Sequence, residues 1–246
     1  MEKKQALLLS VLLTVLVFSN VYLISLVSDS VELESVMIKK AVDGDTLDLQ
    51  DGRRIRLLNI NSPESNMPLS ELSFVYLKNL ENSTVQIEIT GKEIYGRDLA
   101  RVYNKGYINI DMVSKGLSHT AHVEDSEMNE FMKKQDEAFI KGIGIWKRSP
   151  NYGCLKAEIH KKEEFLTIEN ICSIDFDKVA LKDESTRTFR ITIPGKSKML
   201  FFSEKGENSG NKIYLGSSRN IWNDDKDSIF IREEDGLLLF YEHYGY

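Results

Sequence analysis

The stretch that decides the fold is residues 42–64, which read VDGDTLDLQDGRRIRLLNINSPE. Apolar and polar residues alternate in short runs, and Asp-Gly pairs interrupt these runs at residues 43–44 and 51–52. Because Asp-Gly is a common turn signal between strands, the pattern predicts strand, turn, strand, turn, strand. The segment Asn61-Ser62-Pro63-Glu64 then ends the third strand.

The residues that follow alternate between helical and strand patterns. Helical spacing appears over 69–80 and 110–115, and again from a cap at Asp125 or Ser126 to a stop at Gly142, while 84–90 and 99–103 read as strands. Twisted strands followed by helices predict a small closed barrel with helices packed on it, as in OB-folds. The fold class is therefore mainly β with α (α+β), and we assign this domain to residues 31–148.

A second domain is predicted behind the barrel. Periodicity fades over residues 149–163, which we interpret as a linker, and short β-like runs separated by Gly, Asn and Asp follow to the end of the chain. We expect residues 164–246 to form an immunoglobulin-like β-sandwich.

The N-terminal residues 1–30 have a different character. After Lys3 and Lys4 no charge occurs until Asp29, and the run between them is mostly apolar. Its length favours an uncleaved transmembrane anchor with the domains at the cell surface, whereas Ser28 and Ser30 leave open a cleaved signal and a secreted protein. Cys154 and Cys172 are either bridged or two buried thiols.

Charge and residue types point to a metal-assisted site. The formal net charge is −6, so binding of a polyanion requires a local cation cluster or a bound metal. Adjacent strands would bring Asp43 and Asp45 to Asn61, Ser62 and Glu64, beside Arg56, while the glycine turn at residue 96 aims Arg97 at the barrel mouth. Such oxygen ligands suit Ca²⁺ better than zinc. Alone, the Asp-Gly turn is as readily structural, and Arg56 as readily a solvated outer residue.

Five motifs resemble the thermonuclease (staphylococcal nuclease-like) family in identity, order and spacing, over about residues 34–147. They are Val42-Asp43-Gly44-Asp45-Thr46, Ile55-Arg56-Leu57-Leu58-Asn59-Ile60, Ser62-Pro63-Glu64, Tyr95-Gly96-Arg97 and Gly144-Ile145-Trp146. The resemblance implies an OB-fold nuclease that hydrolyses DNA and RNA with Ca²⁺, with little sequence specificity, and leaves 3′-phosphate ends.

The resemblance also implies a role for each matching residue. Asp45, Asn61 and the backbone carbonyl of Ser62 match metal ligands, and Asp43 matches a carboxylate near the metal. Arg56, Glu64 and Arg97 match the catalytic set. Tyr95 would contact phosphate or a base, or serve in packing.

One departure from the family pattern is Asn61, where the family usually has aspartate. The amide oxygen can coordinate calcium without a formal charge, which predicts weaker calcium affinity. The alternative function is a catalytically weakened nucleic-acid-binding or cell-surface scaffolding protein.

The C-terminal part resembles a lamin-tail domain. The matching stretches are Ile168-Glu169-Asn170, Leu181-Lys182-Asp183-Glu184-Ser185, residues 216–227 and Asp235-Gly236-Leu237. This resemblance implies binding to a surface partner or anchoring.

Taken together, the sequence patterns and the two resemblances lead us to expect an exported calcium-dependent endonuclease with nucleic acid and the membrane as partners.

Overall fold

The computed structural model describes residues 5, 10–20, 22, 33–93 and 96–246. Its strands are β1 Glu34–Ala41, β2 Thr46–Leu49, β3 Arg54–Leu57, β4 Ile60–Asn61, β5 Thr84–Lys92, β6 Asp98–Tyr103, β7 His119–Thr120, β8 Leu155–His160, β9 Phe165–Asn170, β10 Phe176–Lys182, β11 Phe189–Ile193, β12 Lys198–Phe202, β13 Lys212–Tyr214, β14 Asp227–Arg232 and β15 Leu238–Tyr244. Its helices within 33–93 and 96–246 are α1 Ser70–Lys78, α2 Ile108–Ser114 and α3 Met128–Lys141, with a 3₁₀ turn at Gly144–Trp146.

A closed barrel forms from the first strands, in the order β1-β2-β3-β6-β5. Alternation places one face of each strand inside, as for Leu47 and Leu49 in β2 and Ile55 and Leu57 in β3, all at most 1% exposed. The β3–β6 pair is parallel, which brings residues from β6 beside the turn that precedes β2. The predicted closed barrel with packed helices is therefore confirmed, and it has five strands.

The helices close one side of the barrel. Phe131 of α3 and Met112 of α2 are fully buried in the barrel core. Gly116 and Gly142 end α2 and α3 at φ angles of 64° and 62°, as the sequence predicts. The predicted cap of α3 was wrong, because the helix begins at Met128 after a turn at residues 124–127.

Behind the barrel, two four-stranded sheets share one core. Their orders are β11-β10-β14-β15 and β13-β12-β9-β8, and Phe201 and Trp222 lie buried within that core. The predicted β-sandwich has these two sheets, whereas its immunoglobulin and lamin-tail likeness stays a prediction. Strand β8 lies within residues 149–163, which we had interpreted as a linker; pairing with β9 orders this segment.

Residues 35–246 form one compact unit. Trp146, Phe230 and Tyr241 pack together where the barrel helices meet β14 and β15, and Nε2 of Gln135 donates to the Tyr241 hydroxyl at 2.7 Å. The division into domains at 149–163 remains a prediction, and the sheet that contains β14 and β15 packs against the barrel helices.

The predicted N-terminal segment 1–30 lies largely outside the described residues, which in this region include the helical residues 10–20. Among the described residues, none of the helices has both the length and the hydrophobicity of a transmembrane helix. Cys154 and Cys172 form a disulfide with a Cα–Cα distance of 5.3 Å, which decides between the two alternatives left open by the sequence.

Candidate active site

The turn at residues 43–46 is fixed against the end of β4. Oδ1 of Asp43 accepts the backbone N–H of Asp45 at 3.0 Å, and the Ser62 hydroxyl donates to the carbonyl of Gly44 at 2.8 Å. A Cβ at Gly44 would lie 2.2 Å from Oγ of Ser73, so this close approach requires glycine. The turn and the strand end therefore meet, as the sequence spacing suggested.

Arg56 lies between the two sides of this junction. Its Nη1 donates to Oδ1 of Asp45 at 2.6 Å, and its Nη2 donates to Oδ1 of Asn61 at 3.0 Å. The arginine side chain is 16% exposed, so Arg56 is not a solvated outer residue. The contact with Asp45 is a charge-assisted hydrogen bond. Together with the hydrogen bond to Asn61, it holds the guanidinium in one orientation.

Asp45 is a buried carboxylate. It is 4% exposed and also accepts the backbone N–H of Ser62 at 3.1 Å through Oδ2. Burial raises the pKa of Asp45 to about 6; Arg56 opposes this effect, and the nearby Asp43 adds to it. A cation bound beside Asp45 and Asp43 would stabilise their ionised forms.

A cleft of about 280 Å³ is lined by most of the predicted site residues but not by Asn61, which is 2% exposed. Its lining residues are Asp43, Gly44, Asp45, Arg56, Ser62, Pro63, Glu64, Arg97 and Thr186. Nη1 of Arg97 donates to the Thr46 hydroxyl at 3.1 Å, and its Nε pairs with Glu93. Glu64 is exposed. Tyr95 lies outside the described residues.

The donor set fits a hard divalent cation in its chemistry. Asp43 and Asp45 supply carboxylate oxygens, Asn61 an amide oxygen and Ser62 a backbone carbonyl, which are calcium ligand types. Within 33–93 and 96–246, no group of three or more His, Cys, Asp and Glu side chains is arranged to hold a metal. A cation here would therefore depend on the amide, the carbonyl and water as well as the aspartates.

The two-sheet part also reaches this site, a contact that no sequence pattern predicts. Nδ2 of Asn61 donates to the backbone carbonyl of Glu184 at 2.9 Å, and Thr186 lines the cleft. Lys182 and Glu64 line a neighbouring cavity of about 50 Å³. The one available sequence signal was Asn61 itself, because an amide can donate where an aspartate cannot.

Comparison with known proteins assigns the barrel part of the chain to a family. The sequence model described as Staphylococcal nuclease homologue matches residues 54–148. An uncharacterised endonuclease of Haemophilus influenzae is 34% identical over 121 residues, which cover 47% of this chain and 67% of that protein.

The chain belongs to the staphylococcal nuclease homologue family. A thermonuclease of Staphylococcus intermedius is 29% identical over 49% of this chain and 81% of its own length. An uncharacterised endonuclease of Escherichia coli is 33% identical over 44% of this chain and 74% of its own length. The resemblance found in the sequence is thus confirmed for the nuclease-like part.

The matched range divides the site of this staphylococcal nuclease homologue. Arg56, Asn61, Glu64 and Arg97 lie inside residues 54–148, whereas Asp43 and Asp45 precede that range. Asp45 is bonded to the matched residues Arg56 and Ser62, and Asp43 is bonded to Asp45. The range ends at Arg148, before the two sheets.

Proposed function

We propose that this family member is a calcium-dependent endonuclease that hydrolyses phosphodiester bonds of DNA and RNA and leaves 3′-phosphate ends. The observation that carries the proposal is the convergence of Arg56, Glu64 and Arg97 on one cleft beside Asp43 and Asp45. The names of the relatives, endonuclease and thermonuclease, support a nuclease function.

The chemistry of phosphodiester hydrolysis assigns a role to each catalytic residue. The exposed carboxylate of Glu64 orients the attacking water or removes its proton. Arg56 and Arg97 donate paired N–H groups to the phosphoryl oxygens, where negative charge accumulates in the transition state. Two guanidiniums in the cleft also attract phosphate, although the whole chain carries a net charge of −6.

Calcium would be held by Asp45, Asn61 and the carbonyl of Ser62, with Asp43 close by. When bound, the ion supplies charge neutralisation at the phosphoryl group. Asp43, Asp45, Arg56 and Arg97 line the same cleft. Metal ligands and phosphate-binding guanidiniums would therefore lie beside one another in it.

We further propose that the enzyme acts outside the cell. The apolar N-terminal segment would anchor it to the membrane or direct its secretion, and a disulfide between Cys154 and Cys172 suits an oxidising compartment. In this proposal the two-sheet part has the lamin-tail-like fold and also serves to bind a surface partner.

The experiment is hydrolysis of single-stranded DNA by the purified full-length chain, with calcium and with chelator, alongside Glu64→Gln and Arg97→Ala. We expect calcium-dependent cleavage that both substitutions abolish, with products carrying 3′-phosphate. Absence of cleavage by a folded protein at saturating calcium would instead support a nonenzymatic nucleic-acid-binding protein.

A further inference from the structure

The loop that joins β10 to β11, residues 183–188, stands at the nuclease cleft although it belongs to the two-sheet part. Its residue Thr186 lines the cleft together with Arg56, Glu64 and Arg97. Thr186 and Glu64 also both line the neighbouring small cavity. The loop therefore runs along the segment that carries the catalytic carboxylate.

A hydrogen bond ties this loop to the metal side of the site. Asn61 is 2% exposed, and its two amide atoms have different partners. Oδ1 accepts from Arg56 at 3.0 Å, and Nδ2 donates to the carbonyl of Glu184 at 2.9 Å. An aspartate would place an oxygen against that carbonyl, so the asparagine at this position suits the presence of the loop.

The base of the loop is fixed from its own sheet. The carboxylate of Glu184, which is 4% exposed, accepts from the Ser228 hydroxyl at 2.8 Å and from the Tyr246 hydroxyl. Asp183 accepts the backbone N–H of Ser185 at 3.0 Å. By contrast Ser185, Thr186 and Arg187 are exposed. A buried, hydrogen-bonded base thus carries an exposed tip over the cleft.

The side chains near the tip suit a phosphate backbone. Thr186 supplies a hydroxyl at the cleft itself, whereas Nζ of Lys182, at the end of β10, donates to the carbonyl of Ser185 within the loop. Hydroxyl groups are common contacts to phosphate and sugar. A single strand can turn one phosphodiester into a walled cleft, whereas a duplex presents its phosphates along a stiff double helix.

We propose that the loop at residues 183–188 is a wall of the nuclease cleft that positions a single strand against Arg56 and Arg97 and disfavours duplex substrates. This proposal rests on the proposed nuclease function. Thr186 is its substrate contact, and Asn61, Glu184 and Tyr246 are positioning residues that keep the wall in place.

The contact is tested with full-length Thr186→Ala and a matched control, Thr192→Ala, which changes an exposed threonine of β11 bonded to Asp177. We expect KM for a single-stranded oligonucleotide to rise about threefold to tenfold in Thr186→Ala, because one hydrogen bond to the substrate is lost. The value of kcat should change little. Thr186→Ser should restore the wild-type KM, and Thr192→Ala should match the wild type.

The wall is tested from a distance with Tyr246→Phe, which removes a donor to Glu184. Its control is Tyr244→Phe, because the Tyr244 hydroxyl donates to the carbonyl of Asn223 instead. We expect Tyr246→Phe to speed amide hydrogen exchange at residues 184–187 and to lower the ratio of single-stranded to duplex hydrolysis, and Tyr244→Phe to change neither.

The outcomes separate this inference from the proposed function. Wild-type inactivity on every substrate would refute the nuclease function, and the wall would then be judged by fluorescence anisotropy of a labelled single-stranded oligonucleotide in chelator. In either setting the proposal is overturned if folded Thr186→Ala and Tyr246→Phe proteins behave like the wild type. They would then keep its affinity for the single strand and its preference for single-stranded over duplex substrate.

Discussion

Nη1 of Arg56 lies 2.6 Å from Oδ1 of Asp45, so the guanidinium proposed to bind phosphate is oriented by a carboxylate proposed to bind calcium. The second guanidinium nitrogen donates to Asn61. These bonds to both terminal nitrogens hold the guanidinium in one orientation at the cleft. Preorganised donors of this kind stabilise developing charge without further rearrangement.

Arg56→Lys is expected to lower kcat/KM on single-stranded DNA by about 100-fold, because an ammonium cannot reproduce the paired N–H geometry. Arg54→Lys is the matched control on the same strand, since Arg54 is exposed and pairs with Asp48. Initial rates at saturating calcium give the comparison. Wild-type activity in Arg56→Lys, which keeps the positive charge, would mean that Arg56 contributes its charge and not its paired N–H geometry.

Asn61→Asp is expected to have two opposite effects. The added charge should tighten calcium binding, whereas loss of the amide donor should loosen the loop at residues 183–188. Calorimetric calcium titration measures the first effect and hydrogen exchange of the loop measures the second, both without turnover. If calcium binding does not tighten, the missing charge at Asn61 does not limit affinity; if the loop stays protected, the Asn61–Glu184 hydrogen bond does not hold it.

The barrel could be predicted because turns and strand alternation between neighbouring residues specify it. The Asp-Gly pairs at residues 43–44 and 51–52 set the turns, and alternation at Leu47, Leu49 and Ile55 sets the inner face. The meeting of Asp45 with Arg56 follows from the short antiparallel pairing of β2 with β3, in which Thr46 lies opposite Arg56. Such short-range geometry can be read from spacing.

The contribution of the two-sheet part could not be read in this way. Asn61 and Glu184 are 123 residues apart, and no turn signal or periodicity links them. Strand β8 is a different case, because apolar and polar residues alternate from Leu155 to His160 and pair with β9. This local strand pattern argues against a linker over residues 149–163. Contacts between distant segments depend on packing that a single sequence does not display.

The disulfide should contribute measurably to stability. Cys154 and Cys172 are separated by 18 residues, and closing a loop of this size contributes about 3 kcal/mol to the free energy of unfolding. A Cys154→Ser, Cys172→Ser double variant should show that loss in denaturant unfolding, and reductant should not destabilise it further. Mass spectrometry that counts equal free thiols in the wild type with and without reductant would contradict the bridge.

Asp227 gives a prediction about pH. It is fully buried at the start of β14 and accepts backbone N–H groups from Asn223 and Ser228. Burial raises its pKa from 3.8 to about 6. The folded state binds the Asp227 proton more tightly than the unfolded chain does. The protonated carboxyl therefore stabilises the fold fully below pH 3.8, and this stabilisation is lost as pH rises through 6.

The wild type should therefore lose about 2 to 3 kcal/mol of unfolding free energy relative to Asp227→Asn between pH 4 and pH 8. Asp227→Asn should be less stable than the wild type overall, because an amide cannot accept all the N–H groups that the carboxylate does. The test is therefore how steeply the unfolding free energy of each protein changes with pH. Denaturant unfolding at pH 4, 6 and 8 gives that slope, with the exposed neighbour Asp224→Asn expected to parallel the wild type. Parallel curves for the wild type and Asp227→Asn would show that the Asp227 carboxyl ionises with the same pKa in the folded and unfolded chains.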